Sequence, residues 1–415
     1  MPENGLPRSM TSPARIVPFP WMLAGLACLA IAGPVAAEEP PRPTILVHYM
    51  PWFVARPASP VWGWHWTMNA FDPDRIEAGK RPIASHYYPV IGPYDSGDPS
   101  VIEFHLLTMK LAGIDGLIVD WYGLSDHFDY PILHRNTAAL FPAAERAGMK
   151  VAICYEDQTV PRLVEAGKLK ASDRVRHVRG ELDWLGRNWF AHPAYARHDG
   201  RPLLLSFGAD GLTDDEWKQA LPDGPKAPIY LSEHRRRPAA SGAFDWPIPG
   251  QGLAAIDRFE ADAMAGGWPV RMPAAFPRFH DIYARAKARE GYPEIPDDGG
   301  RTFATSLRRA LSGGSPFVQL VTWNDWGEGT NLEPSAEFGY RDLETLQRCR
   351  RELIEAGFAR SADDLRLPRR LLQARQDRKS TPGDDRELDE VAGMILSGRS
   401  RAARRALDGI TPKGP

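Results

Sequence analysis

The chain has 415 residues, 43% of them apolar, enough to bury a full core as one large domain or two smaller ones. Lys and Arg total 51 against 53 Asp and Glu, a formal charge of −2, so no global basic field draws nucleic acid or an anionic membrane, and neither is expected as a partner. Thirteen tryptophans and twelve tyrosines supply flat amphipathic rings, useful both as core filler and as platforms for ring-shaped ligands.

The first forty residues form a separate unit. Arg8 and Arg15 precede an apolar run from Trp21 to Ala32, and Val35-Ala36-Ala37 supplies the small residues a signal peptidase needs before Glu38. This pattern predicts a cleaved signal peptide over 1–37 and a secreted or periplasmic mature protein, with no membrane partner after cleavage. The run is shorter than the roughly 20 residues that span a bilayer, which argues against an N-terminal anchor. Cleavage removes Cys28 and leaves Cys154 and Cys349, too few and too far apart for a disulfide framework. Cys154 sits inside an apolar run and reads as a buried core thiol.

Short apolar runs then recur with helical or loop segments between them. They are Thr44 to Met50, Ile114 to Trp121, Lys150 to Glu156, Arg201 to Phe207, Ala227 to Glu233, Gly242 to Trp246, Met272 to Phe279 and Pro316 to Asn324. Near-continuous apolar stretches are expected of parallel strands covered by helices, and eight of them predict an α/β chain folded as a (β/α)8 TIM barrel over 38–365. Between the first two runs, Asp98 caps a predicted helix with Pro99 at its first position; Ile102, Leu106 and Met109 share one face, and Gly113 stops it. Residues 366–415 read as a basic linker and a helical C-terminal tail, with two short helices turning at Gly398. Acids from Asp377 to Glu390 offset the arginines there, so this stretch reads as a solvated appendage on the body rather than a nucleic-acid contact.

In a parallel barrel, catalytic groups come from the C-terminal ends of several strands. The first run ends in His48-Tyr49 and Pro51-Trp52, the second in Asp120-Trp121-Tyr122, the third in Tyr155-Glu156-Asp157 and the eighth in Trp323-Asn324-Asp325. Asp325 and Glu328 are the leading catalytic pair: a turn after the eighth strand would aim both into the mouth, and glycoside cleavage needs one protonated and one ionised carboxylate. Gly327 and Gly329 would let that turn bring Glu328 back over the mouth, whereas Glu333, beside Pro334, reads as a structural acid. Asp120 is a candidate acceptor for a substrate hydroxyl or a cap on a turn, and Glu156 follows an apolar strand where it could not easily be buried unpaired. His48, His65, His105 and His280 show no H-x-x-x-H or H-E-x-x-H spacing, so no metal and no cofactor is expected. Serine-hydrolase elbows, P-loops and dinucleotide fingerprints are likewise missing.

Several segments resemble glycoside hydrolase family 99 and its relatives in family 71: HYMPWF (His48 to Phe53), WHW (Trp64 to Trp66), YDSGD (Tyr94 to Asp98) with the VIEFHLLTMKLAGIDGLIVDWYG that follows, and HPAYARHDGRPLLL (His192 to Leu205). The resemblance implies a (β/α)8 barrel that hydrolyses an α-linked glycan, either an α-mannoside or an α-1,3-glucan, so a carbohydrate is the expected partner. It also leaves room for a non-hydrolytic glycan-binding or polysaccharide-assembly protein on the same barrel. The family 99 pattern Asn-Glu-Trp-His-Glu-Gly-Thr falls on Asn324, Asp325, Trp326, Gly327, Glu328, Gly329 and Thr330. By that match Glu328 is the general acid/base and Asp325 the carboxylate that deprotonates the sugar 2-hydroxyl, giving retention. The chain differs from the pattern in Asp for Glu at 325 and Gly for His at 327. Tyr49, Trp52, His65, Trp66, Asp120, Trp121, Tyr122, Glu156, Trp323, Asn324 and Trp326 are the substrate contacts implied by the strand ends and the resemblance together.

Overall fold

The computed structural model describes residues 42–208, 210–379 and 385–410, so the predicted signal segment 1–37 lies outside the described residues. Each of the eight apolar runs forms a strand: Thr44–Tyr49, Gly116–Trp121, Lys150–Glu156, Arg201–Phe207, Ile229–Glu233, Gly242–Phe244, a seventh in two pieces, and Phe317–Leu320. Neighbours pair in parallel, in chain order, and the first strand pairs with both the second and the eighth.

The seventh strand departs from expectation, because it begins earlier, at Val270, and Pro273 divides it. Proline has no N–H to give to a ladder, so a continuous central strand cannot pass through it. Val270–Met272 pairs with the sixth strand and Ala274–Ala275 with the eighth, while Gln319 N donates to the Pro273 carbonyl between them. One interrupted strand therefore joins both neighbours, and the parallel barrel nearly closes.

Both strand faces are apolar, for different reasons. Leu46, Ile118, Ala152, Leu203, Leu205 and Leu231 point inward and fill the barrel, whereas Ile45, Val47, Leu117, Val119, Val151 and Leu204 point outward against the helices. Successive side chains alternate between faces, so two buried faces give an unbroken apolar run. Each buried Leu, Ile or Val among them is worth about 1.5–3 kcal/mol relative to exposure.

The helix Pro99–Ala112 starts where the Asp98 carboxylate accepts from Ser100 N at 2.9 Å, buries Ile102, Leu106 and Met109, and stops at Gly113 with φ 92. The left-handed conformation that ends it is one glycine adopts freely. Further helices at Tyr130–Ala147, Arg174–Asn188, Asp214–Ala220, Leu253–Ala265, Arg301–Ser312 and Arg341–Leu353 follow other strands. Residues 50–98 reach across to the segment that follows the eighth strand, where Val90 N donates to Pro334 O and Ala336 N to Tyr88 O.

Three helices follow the barrel, at Leu367–Lys379, Arg386–Leu396 and Ser400–Ile410, the last two separated by Gly398 at φ 79. Leu388, Val391, Ile395 and Leu407 join the apolar cluster on the outer face of the barrel. Arg375 clasps Glu103 of the helix Pro99–Ala112 at 2.6 and 2.8 Å, a bidentate pair of fixed geometry. Among the described residues, no helix is long and apolar enough to cross a membrane.

Candidate active site

A cleft of about 310 Å³ opens at the C-terminal ends of the strands. The first strand and its continuation contribute His48, Met50 and Trp52, and the second contributes Asp120 and Tyr122. Glu156, Gln158 and Thr159 come from the end of the third strand, Phe207 from the fourth and Trp246 from beyond the sixth. Tyr283 and Arg289 reach in from the segment after the seventh, and Asp325 and Glu328 from beyond the eighth. The volume lies near the lower end of the roughly 300–1,000 Å³ common for small-molecule sites, with acids and aromatics sharing the wall.

The segment after the eighth strand is tied into a tight turn. Thr322 Oγ1 accepts from Asp325 N at 2.8 Å, and Asp325 Oδ1 accepts from Glu328 N at 2.9 Å. The turn docks on the seventh segment, with His280 N donating to Glu328 O at 2.8 Å and Ile282 N to Gly327 O at 2.9 Å. Gly329 has φ 67, and a Cβ there would lie 2.6 Å from the His280 carbonyl oxygen, so both conformation and space call for glycine. Gly327 is a correction: its φ is ordinary, and its smallness instead admits Met68, whose Cε would sit 3.0 Å from an added Cβ.

This turn brings both leading acids to the cleft in different surroundings. Tyr283 OH donates to Glu328 Oε1 at 3.1 Å, and the Arg289 guanidinium lies 3.8 Å from the same oxygen while covering the Tyr283 ring. Burial, then the Asp325 charge, pushes Glu328 up to about 8. Burial also raises Asp325, to about 6, but the Glu328 N–H and the charge of His65 oppose it. Desolvation favours the neutral form of each carboxyl, and N–H groups aimed at Asp325 favour its charged form. Asp120 and Glu156 are likewise held well above the ordinary carboxylate range, by burial first and neighbouring acids second.

Of the thirteen residues expected at the site, Trp52, Asp120, Tyr122, Glu156, Asp325 and Glu328 line the cleft together. His65 stands one layer back, stacked on Trp52 at 4.1 Å and 7°, with Nε2 3.2 Å from Asp129. Tyr49, Trp66, Trp121, Trp323, Asn324 and Trp326 are fully buried, and their expected role as direct sugar contacts gives way to a role in packing. Tyr49 and Trp121 join the outer cluster, because strand alternation turns them the opposite way from their neighbours His48, Asp120 and Tyr122, and Trp323 joins it from beyond the end of the eighth strand. Trp66 packs on Phe53 at 4.1 Å, and Asn324 clamps Met50 through both its backbone groups at 2.8 and 3.0 Å.

Behind the cleft, Glu333 is fully buried and accepts from Tyr94 OH at 2.6 Å and Trp326 Nε1 at 3.3 Å, with His105 Nε2 at 3.2 Å. His105 also meets Tyr49 OH at 3.0 Å, so the mid-helix histidine and the Pro-flanked acid form one buried polar network. Sequence reasoning missed Met50, Tyr130, Gln158, Thr159, Arg162, Phe207, Trp246, Tyr283 and Arg289 on the cleft wall. Phe207 and Trp246 end apolar runs and could have been read as inward by counting alternate residues. Tyr283 opens a four-residue helix, Tyr283–Ala286, and Arg289 follows it, in a segment too short to carry a periodicity.

Comparison with known proteins gives concordant likenesses. Residues 48–234 match the family model of glycosyl hydrolase family 99. That stretch runs from the first strand through the fifth and stops short of the turn that carries Asp325 and Glu328. A glycoprotein endo-alpha-1,2-mannosidase of Rattus norvegicus is 34% identical over 60% of this chain and 57% of its own length. A glycoprotein endo-alpha-1,2-mannosidase-like protein of Danio rerio is 25% identical over 60% of both chains, so this chain spans about three fifths of the relatives' length. The GH99 endo-alpha-mannosidase structure from Bacteroides thetaiotaomicron superposes with a TM-score of 0.58 at 18% identity, covering 78% of this chain and 98% of that one. The chain is thus similar to family 99 in sequence over its first five strands and shares the family's barrel fold.

Proposed function

We propose that the protein is a glycoside hydrolase acting on an α-linked glycan, of α-mannoside or α-1,3-glucan type, with retention of configuration. The observation that carries this reading is the divergent setting of two carboxyls on one short turn. Glu328, raised the further of the two, keeps its proton near neutral pH and can give it to the leaving glycosidic oxygen. Asp325, raised less, is the ionised partner. One of its oxygens is committed to the Glu328 N–H, which leaves the other to act as base on the substrate.

Trp52 and Tyr122 offer ring faces to the sugar, while Asp120 and Glu156 take its hydroxyls, directly or through a bound group. The likeness to endo-alpha-mannosidases supports the glycan class. The export signal read at 1–37 would deliver the enzyme to the periplasm or beyond the cell, where such polymers are met.

The test is incubation with a panel of α-mannans and α-1,3-glucans, with products sized and the anomer recorded, for wild type and Glu328→Gln. Gln keeps an oxygen for the Tyr283 hydroxyl but has no proton to donate, so turnover should fall about 10²–10⁴-fold with unfolding unchanged. Unaltered turnover in the variant would remove Glu328 from the mechanism. Binding without product release by wild type would instead favour the non-hydrolytic accessory role.

A further inference from the structure

The barrel register brings three donors of different chemistry together at the floor of the cleft. Asp120 of the second strand sits opposite Cys154 of the third, and His48 of the first sits opposite Ile118, two residues before Asp120 on the same inward face. One ligand atom from each of His48, Asp120 and Cys154 lies within 4.8 Å of the other two, and all three residues are buried.

Their hydrogen bonding leaves the cluster unsatisfied. Gln319 Nε2 donates to the Asp245 carbonyl at 2.9 Å, which fixes the amide and turns Oε1 toward His48 Nδ1 at 3.5 Å. The Nδ1 position therefore carries the hydrogen, and Nε2 presents a bare lone pair. That Nε2 and Asp120 Oδ1 are both buried with no hydrogen-bond partner. Trp246 meets the imidazole edge-on at 4.8 Å and 83°, holding the ring in place. Buried polar atoms without partners are costly, and natural sites seldom keep them without a ligand to satisfy them.

We propose that His48, Asp120 and Cys154 form a binding site for a divalent transition-metal ion of the zinc type. Imidazole nitrogen, carboxylate oxygen and thiolate sulfur suit zinc or cobalt and are wrong for calcium or magnesium, which take oxygen alone. A second partner on the far nitrogen, here Gln319, is the arrangement that orients metal-bound histidines. Binding displaces to solvent the thiol proton of Cys154 and the carboxyl proton that burial keeps on Asp120, so the site loads as thiolate and carboxylate. His48 and Asp120 also line the cleft, so the position left open by three protein ligands faces it and would take a water or a sugar hydroxyl. The site does not depend on the hydrolytic reading, and its test uses no substrate.

The full chain, dialysed against metal-free buffer, is titrated with cobalt(II) while the near-ultraviolet thiolate-to-cobalt charge-transfer band and bound metal are recorded. One cobalt per chain with a strong band is expected, displaced by zinc and retained in a Cys28→Ser, Cys349→Ser double variant. Cys154→Ser should abolish the band, and Gln319→Leu should weaken cobalt binding about 10–100-fold while the chain stays folded. Should Cys154→Ser fail to fold, the double variant and Gln319→Leu decide the matter alone. No band from folded wild type, a band that survives Cys154→Ser, a band lost in the double variant, or unchanged affinity in Gln319→Leu would each overturn the proposal.

Discussion

Glu328 and Glu333 stand five residues apart in one stretch, and the protein treats them in opposite ways. Glu333 is fully buried: Oε2 accepts from Tyr94 OH and Trp326 Nε1, and Oε1 lies 3.2 Å from His105 Nε2 without a hydrogen bond between them. Glu328 keeps 16% of its side chain exposed and receives one hydroxyl, with Arg289 further off at 3.8 Å. The first carboxylate ties the eighth strand to the helix Pro99–Ala112; the second is left with unmet demand at an open cleft. Access to the cleft, not residue type or position in the chain, separates a structural acid from a reactive one.

This contrast can be broken from either side. Glu333→Ala should cost on the order of 3 kcal/mol or more of stability, because each buried donor left without an acceptor costs about 1–3 kcal/mol. Denaturant unfolding measures the loss, and the protein that remains folded should turn over normally. A stable variant with lost activity would place Glu333 in the chemistry instead. Tyr283→Phe should act in the reverse sense, leaving the fold intact and lowering the rate less than tenfold. Tyr283 donates to Glu328 and favours its charged form, so its loss should move the alkaline limb of the activity profile upward. A downward shift would mean that the hydroxyl holds the neutral acid.

Much of the fold was legible because both faces of the strands are apolar and each run ends sharply. The Pro273 break was visible as a residue, but that it lets one strand serve two neighbours depends on barrel closure, which no local pattern encodes. Within the site, Glu156 was legible as an acid that an apolar strand end cannot bury cheaply, Asp120 as an acid at a strand end, and Asp325 and Glu328 as a pair on the turn after the eighth run. Tyr49 and Trp121 mislead because a strand end does not by itself say which face a residue takes, and a shift of one residue exchanges cleft for core; Trp323 lies past the strand, where alternation gives no guide. Tyr283 and Arg289 were invisible, since a segment with only one helical turn is placed by its docking on the turn at 327–328 rather than by its own sequence. The grouping of His48, Asp120 and Cys154 escaped spacing rules for the same reason, as its members come from three strands.

The most direct test of the central claim, that Asp325 and Glu328 act as a divided acid and base, is the pH dependence of kcat/KM on a cleaved glycan. The pair titrates as a coupled unit, and its two apparent steps should bound a bell. The rate should rise as Asp325 ionises at about 6 and fall as Glu328 loses its proton at about 8, and Glu328→Gln should lose the alkaline limb from whatever rate remains. A rate that keeps climbing well above pH 8, or an alkaline limb unchanged in the variant, would contradict the assignment.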